Sequence, residues 1–103
     1  MVLLTFRGRR SGRWYTTPVQ YATDGDSLVV VPGHPERKQW WRNLRGGAPV
    51  HVRLGGRELD ADTALVEGQA AAAPLAVYLD RFPRARRALA DQHLAVVIRP
   101  RTT

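Results

Sequence analysis

The sequence predicts a mainly β (α+β) fold in which six mainly antiparallel strands close into a barrel, with two or three short helices. Short apolar or β-branched runs are separated by tight glycine turns, which favours antiparallel neighbours. The chain has 103 residues, and six antiparallel strands in so small a domain usually curl, because closure removes exposed edges. This length predicts one domain over residues 1–103 and excludes a two-domain enzyme.

The first half of the chain supplies three predicted strands. Val2–Arg7 is short and apolar, and Trp14–Ala22 is rich in aromatic and β-branched residues. The Gly8–Gly12 turn between them predicts a hairpin. Pro18 inside the second run indicates an edge strand or a bulge. Ser27–Val31 follows an Asp-Gly turn and reads L-V-V-V, which is typical of a strand buried on both faces.

The second half mixes helices and strands. Glu36–Arg45 is predicted to be helical, because its Trp and Leu residues form an apolar stripe among basic residues. The other predicted elements are strands Val50–Leu54 and Arg57–Val66, an alanine-rich helix Ala70–Leu79, a helical turn or two in Arg84–Ala90, and a buried last strand Leu94–Ile98.

Charge is distributed unevenly along the chain. The formal net charge is +7. Residues 1–57 contain ten basic and three acidic residues, whereas residues 58–103 contain six of each. The whole excess therefore lies in the N-terminal half. This bias predicts an anion-binding site built from the first half of the chain.

Several classes of site are excluded by composition. There are no cysteines, which excludes disulfides and thiolate metal sites, and the three histidines lack metal-ligand spacing. No apolar run approaches the roughly 18 residues of a membrane span, and nothing typical of a signal peptide follows the N-terminus, so we expect a cytoplasmic protein. No side-chain constellation indicates acid–base or covalent catalysis. An enzyme of this sequence would rely on a bound cofactor.

The most distinctive motif is the turn G-R-R-S-G, formed by Gly8, Arg9, Arg10, Ser11 and Gly12. Glycines at both ends let backbone N–H groups point inward, while two guanidinium groups and a hydroxyl add donors. This is the chemistry of a phosphate or carboxylate nest. Taken alone, the motif is more often an ordinary polar hairpin turn.

Two further motifs have both a structural and a ligand-binding interpretation. Thr16, Thr17 and Pro18 offer hydroxyls to a planar ring or a ribityl chain, although β-propensity and an edge proline explain them slightly better. Trp40 and Trp41 are expected mainly to pack in the core, and one of them at the mouth of a cleft would stack on a flat ligand.

The order of the motifs resembles the deazaflavin (F420)-dependent nitroreductase and quinone reductase family. G-R-R-S-G, T-T-P, D-G-D, W-W-R-N-L and P-V-H-V follow one another, most strongly over residues 3–57. The resemblance implies a split β-barrel and an anionic cofactor, coenzyme F420 (8-hydroxy-5-deazaflavin). The reduced cofactor would transfer hydride to a quinone, a nitroaromatic or another unsaturated small-molecule acceptor.

The resemblance also implies which residues bind the cofactor. The basic turn would hold its polyanionic tail, and the T-T-P segment with the loop after the third strand would line its ring. The implied set is Arg9, Arg10, Ser11, Gly12, Arg13, Thr16, Thr17, Pro18, Val31, Pro32, Gly33, His34, Trp40 and Trp41. Tyr15 stands where many members have arginine, which makes Arg13 the candidate to replace that contact. No residue is predicted to be catalytic or to bind a metal.

Other readings remain open from sequence. FMN could replace F420 on the same fold, and the chain could be a non-catalytic F420- or flavin-binding module. A small basic nucleic-acid-binding barrel would need aromatic residues interleaved with arginines, as Trp14 and Tyr15 weakly allow. It is the least favoured reading. A barrel this small leaves apolar surface uncovered, so we expect a homodimer.

Overall fold

A computed structural model describes residues 1–33 and 40–101. In this part of the chain seven strands form one sheet, in which every neighbouring pair is antiparallel. The strands are β1 Val2–Arg7, β2 Trp14–Val19, β3 Ala22–Asp24, β4 Ser27–Val30, β5 Pro49–Leu54, β6 Arg57–Glu67 and β7 Leu94–Pro100. The helix α1 spans Ala72–Arg81, and 3₁₀ turns span Trp40–Leu44, Gly68–Ala71 and Pro83–Ala85.

The sheet rolls into a half-barrel because of its strand order. The order is β2-β1-β5-β6-β7-β4-β3, so β2 and β3 are the two edges. Only Gln20 and Tyr21 separate these edge strands in the chain, which forces the edges towards each other. The predicted mainly β, antiparallel fold is confirmed. The six predicted strands become seven, because the predicted strand Trp14–Ala22 leaves β1 after Val19 and pairs with β4 from Ala22 onwards.

Alternation along the strands fills the barrel interior. Val2, Leu4 and Phe6 of β1 point inward and are buried, and Trp41 and Leu44 close the same core. A second apolar cluster lies outside β3, β4 and β7, where α1 covers the sheet. The predicted burial of the β4 run on both faces is confirmed, because its residues divide between the two clusters.

The helical predictions differ more from the structure. Residues 36–39 of the predicted helix Glu36–Arg45 lie outside the described residues, and Trp40–Leu44 forms a 3₁₀ turn. The predicted helix Ala70–Leu79 is present as α1, which begins at residue 72 after a preceding 3₁₀ turn. The predicted helical segment Arg84–Ala90 overlaps the short Pro83–Ala85 3₁₀ turn. Hydrogen-bonded turns follow it.

Candidate functional site

The basic turn is held closed by its own backbone. The Gly8 N–H donates to the Arg13 carbonyl at 2.7 Å, and the Gly12 N–H donates to the Gly8 carbonyl at 3.0 Å. Gly12 has a φ of 70°, which favours glycine. A Cβ on Gly8 would lie 2.8 Å from both Ser11 Oγ and Tyr15 Cε2. The glycines of the motif therefore let the turn fold tightly around these two hydroxyl-bearing residues.

Asn43 ties this turn to the Trp40–Leu44 3₁₀ turn, which is distant in sequence. The Arg9 N–H donates to Asn43 Oδ1 at 2.9 Å, and Asn43 Nδ2 donates to the Trp40 carbonyl at 2.9 Å. The amide thus satisfies backbone groups on both segments. It places Arg42 beside the arginines of the basic turn.

The two turns enclose a cavity of about 430 Å³, which we call the basic cavity. It is lined by Phe6, Gly8, Arg9, Arg10, Ser11, Tyr15, Arg42 and Asn43. Among the described lining residues, three carry guanidinium groups and none carries a carboxylate. Ser11 Oγ and Tyr15 Oη lie 3.1 Å apart and hydrogen-bond to each other, so one of the two hydroxyls keeps its proton to donate to a ligand. Because converging cations in a concave surface attract anions, this cavity suits a phosphate or carboxylate group.

A second cavity, the central cavity, has a volume of about 590 Å³. It is lined by Met1, Thr17, Pro18, Val19, Gln20, Pro32, Gly33, Trp40 and Tyr78. None of these side chains is charged at neutral pH, and burial raises the pKa of Tyr78, their one titratable side chain, further above that range. Gln92 Nε2 donates to the Pro32 carbonyl at 3.3 Å and holds that wall in place. The central cavity suits an uncharged, flat group.

A row of three aromatic rings runs from the basic cavity to the central cavity. The ring centroids of Tyr15 and Phe6 are 5.9 Å apart, and those of Phe6 and Trp40 are 6.0 Å apart. Tyr15 and Thr17 also lie on the same face of β2, about 7 Å apart along the strand, and line the basic and central cavities respectively. One elongated ligand with an anionic end and a flat uncharged end would span both cavities.

The structure brings eight predicted site residues to these cavities. Those at the basic cavity are Arg9, Arg10 and Ser11. Those at the central cavity are Thr17, Pro18, Pro32, Gly33 and Trp40.

Six predicted residues are not placed there. Gly12 and Arg13 belong to the basic turn but do not line its cavity, where Arg42 lies instead. Thr16 points to the opposite face of β2, and its Oγ1 lies 2.8 Å from Thr5 Oγ1. The two residues buried in the apolar clusters are Val31 and Trp41, and His34 lies outside the described residues.

Sequence reasoning missed several lining residues. Arg42 and Asn43 lie in the W-W-R-N-L motif, but no local pattern shows that this motif reaches the basic turn. Tyr15 was noted only as a replacement for arginine, whereas its hydroxyl lines the basic cavity. Alternation with the apolar residues of β1 would have identified Tyr15 and Thr17 as inward-facing, had the pairing register been known.

Two further findings concern the described residues. They contain no group of three or more His, Cys, Asp or Glu side chains that could hold a metal ion. Among them, no helix has the length and apolar character needed to cross a membrane.

The architecture is an antiparallel half-barrel of the class found in F420-dependent reductases. It is similar to a solved structure titled F420-H2 dependent reductase (FDR-A), with a TM-score of 0.77 and 19% identity, over 94% of this chain and 91% of that chain. A structure described as a domain-swapped dimer is also similar, with a TM-score of 0.76 and 22% identity, over 94% and 77% of the two chains. These likenesses establish the fold.

A family model described as F420H(2)-dependent quinone reductase matches residues 1–100, and the chain belongs to that family. It is 37% identical over 57 residues to the putative F420H(2)-dependent quinone reductase Rv3178 of Mycobacterium tuberculosis, covering 52% of this chain and 48% of the relative. The quinone reductase Rv1261c of that species is 32% identical over 57 residues, covering 52% and 38%. The matched stretch therefore spans less than half the length of these relatives. The family resemblance seen in the motifs is confirmed.

Proposed function

We propose that this protein binds reduced coenzyme F420 and positions it for hydride transfer to a quinone. The observation that carries the proposal is the pair of neighbouring cavities, one lined by cationic side chains and the other, among the described residues, by uncharged ones. Their chemistry matches a cofactor with a planar deazaflavin ring at one end and a polyanionic tail at the other. Membership of the F420H(2)-dependent quinone reductase family supports the same assignment.

The tail of the cofactor would lie in the basic cavity. Arg9 and Arg10 would supply charge-assisted hydrogen bonds to phosphate and carboxylate oxygens, which are about twice as strong as neutral ones, and the Arg42 guanidinium lies in the same lining. The hydrogen-bonded pair Ser11 and Tyr15 adds one neutral hydroxyl donor in the same lining. In the part of the lining that the structure describes, no carboxylate opposes the bound anion.

The ring of the cofactor would lie in the central cavity, beside Trp40 and between the walls made by Pro18 and Pro32. The bound reduced cofactor supplies a hydride, and a quinone that takes up this hydride and a proton becomes a hydroquinone. The contribution of the chain is to hold the reacting rings together and to limit the access of water, which converts a bimolecular step into a positioned one.

Titration of the purified protein with F420, followed by cofactor fluorescence, tests the proposal. Replacing both Arg9 and Arg10 with Ala should weaken binding roughly 100-fold at low salt, since each charged contact contributes about 1.5 kcal/mol or more. The loss should shrink at high salt, where screening weakens the wild-type contacts. The matched control replaces Arg86 and Arg87, an exposed adjacent pair outside both cavities, with Ala.

Three outcomes would contradict parts of this proposal. Absence of binding at micromolar F420 would refute the cofactor assignment, and equal losses in the two double variants would refute the position of the tail. Binding without turnover of any quinone or nitroaromatic would instead support a non-catalytic binding module. An absorbance spectrum of the purified protein separates F420 from FMN.

Nucleic-acid binding receives less support from the geometry. Trp14 and Tyr15 alternate along β2, so Tyr15 lies beside Phe6 on the inner face whereas Trp14 contacts His51 on the outer face. The two rings do not form a single stacking platform of the kind that binds bases.

We propose that the protein forms a homodimer through the outer face of β1 and β2. Leu3 and Trp14 are exposed on this face, and a similar structure is described as a domain-swapped dimer. Sedimentation equilibrium tests the oligomeric state, and a monomer at all accessible concentrations would refute it.

A further inference from the structure

A third cavity, the side cavity, adjoins the central cavity and has a volume of about 320 Å³. It is lined by Met1, Gln20, Tyr21, Thr23, Arg81 and Phe82. Met1 and Gln20 line both cavities. Phe82 of the side cavity also packs on Tyr78 of the central cavity, with ring centroids 4.9 Å apart. A molecule in the side cavity would thus border directly on the group held in the central cavity.

The side cavity differs from the central cavity in containing a cation. Among the described lining residues Arg81, in the last turn of α1, is the one with a charged side chain, and its guanidinium carbon lies 4.9 Å from the centroid of the Phe82 ring. Within residues 1–33 and 40–101, no carboxylate forms an ion pair with Arg81. Tyr21 and Thr23 add hydroxyl groups. An aromatic ring beside an unneutralised guanidinium suits a small flat molecule that carries an anionic substituent.

We propose that the side cavity is the acceptor subsite, and that Arg81 makes it selective for acceptors with an anionic group next to the reducible ring. The assignment rests on the proposed function, because it requires the hydride-donating ring to lie in the central cavity. Arg81 acts by binding and orienting the acceptor. Phe82 lines the wall of the side cavity beside the Arg81 guanidinium and gives the acceptor ring an apolar contact.

The kinetic test compares a charged and a neutral acceptor of the same ring system. We would measure kcat/KM for 1,4-naphthoquinone-2-sulfonate and for 1,4-naphthoquinone in the wild-type protein and in Arg81→Met. The ratio of the two values should fall about tenfold or more in Arg81→Met, which corresponds to about 1.4 kcal/mol of lost preference. Differences in intrinsic reactivity between the quinones cancel, because each variant is tested with the same pair.

Two further variants define the cause of the change. Arg81→Lys keeps the charge and should retain part of the preference. Arg84→Met removes an exposed arginine of the neighbouring 3₁₀ turn that lines none of the three cavities, and its ratio should match that of the wild type. A ratio unchanged in Arg81→Met, or lowered equally in Arg84→Met, would overturn the acceptor subsite.

Calorimetry without cofactor separates this proposal from the proposed function. Naphthalene-2-sulfonate, which cannot be reduced, should bind cofactor-free protein carrying Arg9→Ala and Arg10→Ala, whose basic cavity competes less for anions, about tenfold more weakly when Arg81→Met is added, whereas neutral naphthalene-2-sulfonamide should bind both alike. If neither quinone is reduced, the proposed function fails and the acceptor role fails with it. If both quinones are reduced and sulfonate binding does not depend on Arg81, only the acceptor subsite is refuted.

Discussion

Asn43 provides the most direct test of how the basic cavity is built. Its side-chain amide accepts from the Arg9 N–H and donates to the Trp40 carbonyl, both at 2.9 Å. Asn43→Leu has nearly the same shape and removes both bonds. Asn43→Asp retains an acceptor for Arg9, loses the donor to Trp40 and places a carboxylate in the lining of the cavity.

The expected magnitudes follow from these two bonds. A neutral hydrogen bond contributes about 1 kcal/mol net, and water can replace the one at exposed Arg9. Asn43→Leu should therefore lower the free energy of unfolding by about 1–2 kcal/mol. For a chain of this size that is a fall in Tm of ~4–16 °C. Asn43→Asp should lose less stability, because the nearby guanidinium groups attract its carboxylate, but it should bind anions more weakly than Asn43→Leu does.

Urea unfolding measures the stability of each variant, and F420 titration measures its affinity for the anionic cofactor. The order of stability should be wild type, Asp, Leu, and the order of affinity should be wild type, Leu, Asp. Gln69→Leu, an exposed amide in another 3₁₀ turn, is the control and should change stability by no more than about 0.5 kcal/mol. A wild-type unfolding midpoint for Asn43→Leu, or wild-type affinity for Asn43→Asp, would refute the bridging role.

Three other substitutions test separate parts of the structure. Gly8→Ala should cost about 1–3 kcal/mol in urea unfolding and weaken F420 binding, because its Cβ would lie 2.8 Å from the ring of Tyr15. Hydrogen bonds from Arg101 lower the pKa of Asp62, so Arg101→Met should move this pKa back towards 3.8 in an NMR titration. The stability linked to this shift is present above the unfolded-state pKa and is lost as the pH falls through the folded-state value. Burial raises the pKa of Tyr78 above 10.0, so the wild type should lose stability as the pH rises beyond that value, and Tyr78→Phe should lose less.

The strands were predictable where the sequence marks their ends with glycine turns. The β1–β2 and β5–β6 hairpins pair in register around such turns. No glycine or proline marks the step from β2 to β3, where Gln20 and Tyr21 carry the chain from one sheet edge to the other. That corner is set by closure of the sheet, which is a tertiary effect, so the sequence pattern showed one long strand instead of two.

The candidate site was predictable where its chemistry is local. Arg9, Arg10 and Ser11 lie in one short turn, and the motif alone indicated an anion site. Arg42 and Asn43 join them through a hydrogen bond between residues 34 positions apart, which no local pattern reveals. Local pattern also did not separate the members of the T-T-P segment, because their assignment to opposite faces depends on the register of β2 with β1.

The charge bias of the N-terminal half indicated the sign of the ligand but not the position of its site. Arg7 also belongs to this excess, yet its Nε donates to the Gly12 carbonyl at 3.1 Å and supports the turn from outside the basic cavity. Arg45 lies 5.5 Å from the Trp41 ring centroid and 3.9 Å from a carboxylate oxygen of Glu67. These guanidinium groups carry the same formal charge as Arg9 but already have partners within the fold. Arg9 and Arg10 instead line the basic cavity, where no described lining residue is a carboxylate, so their charge remains available to a bound anion.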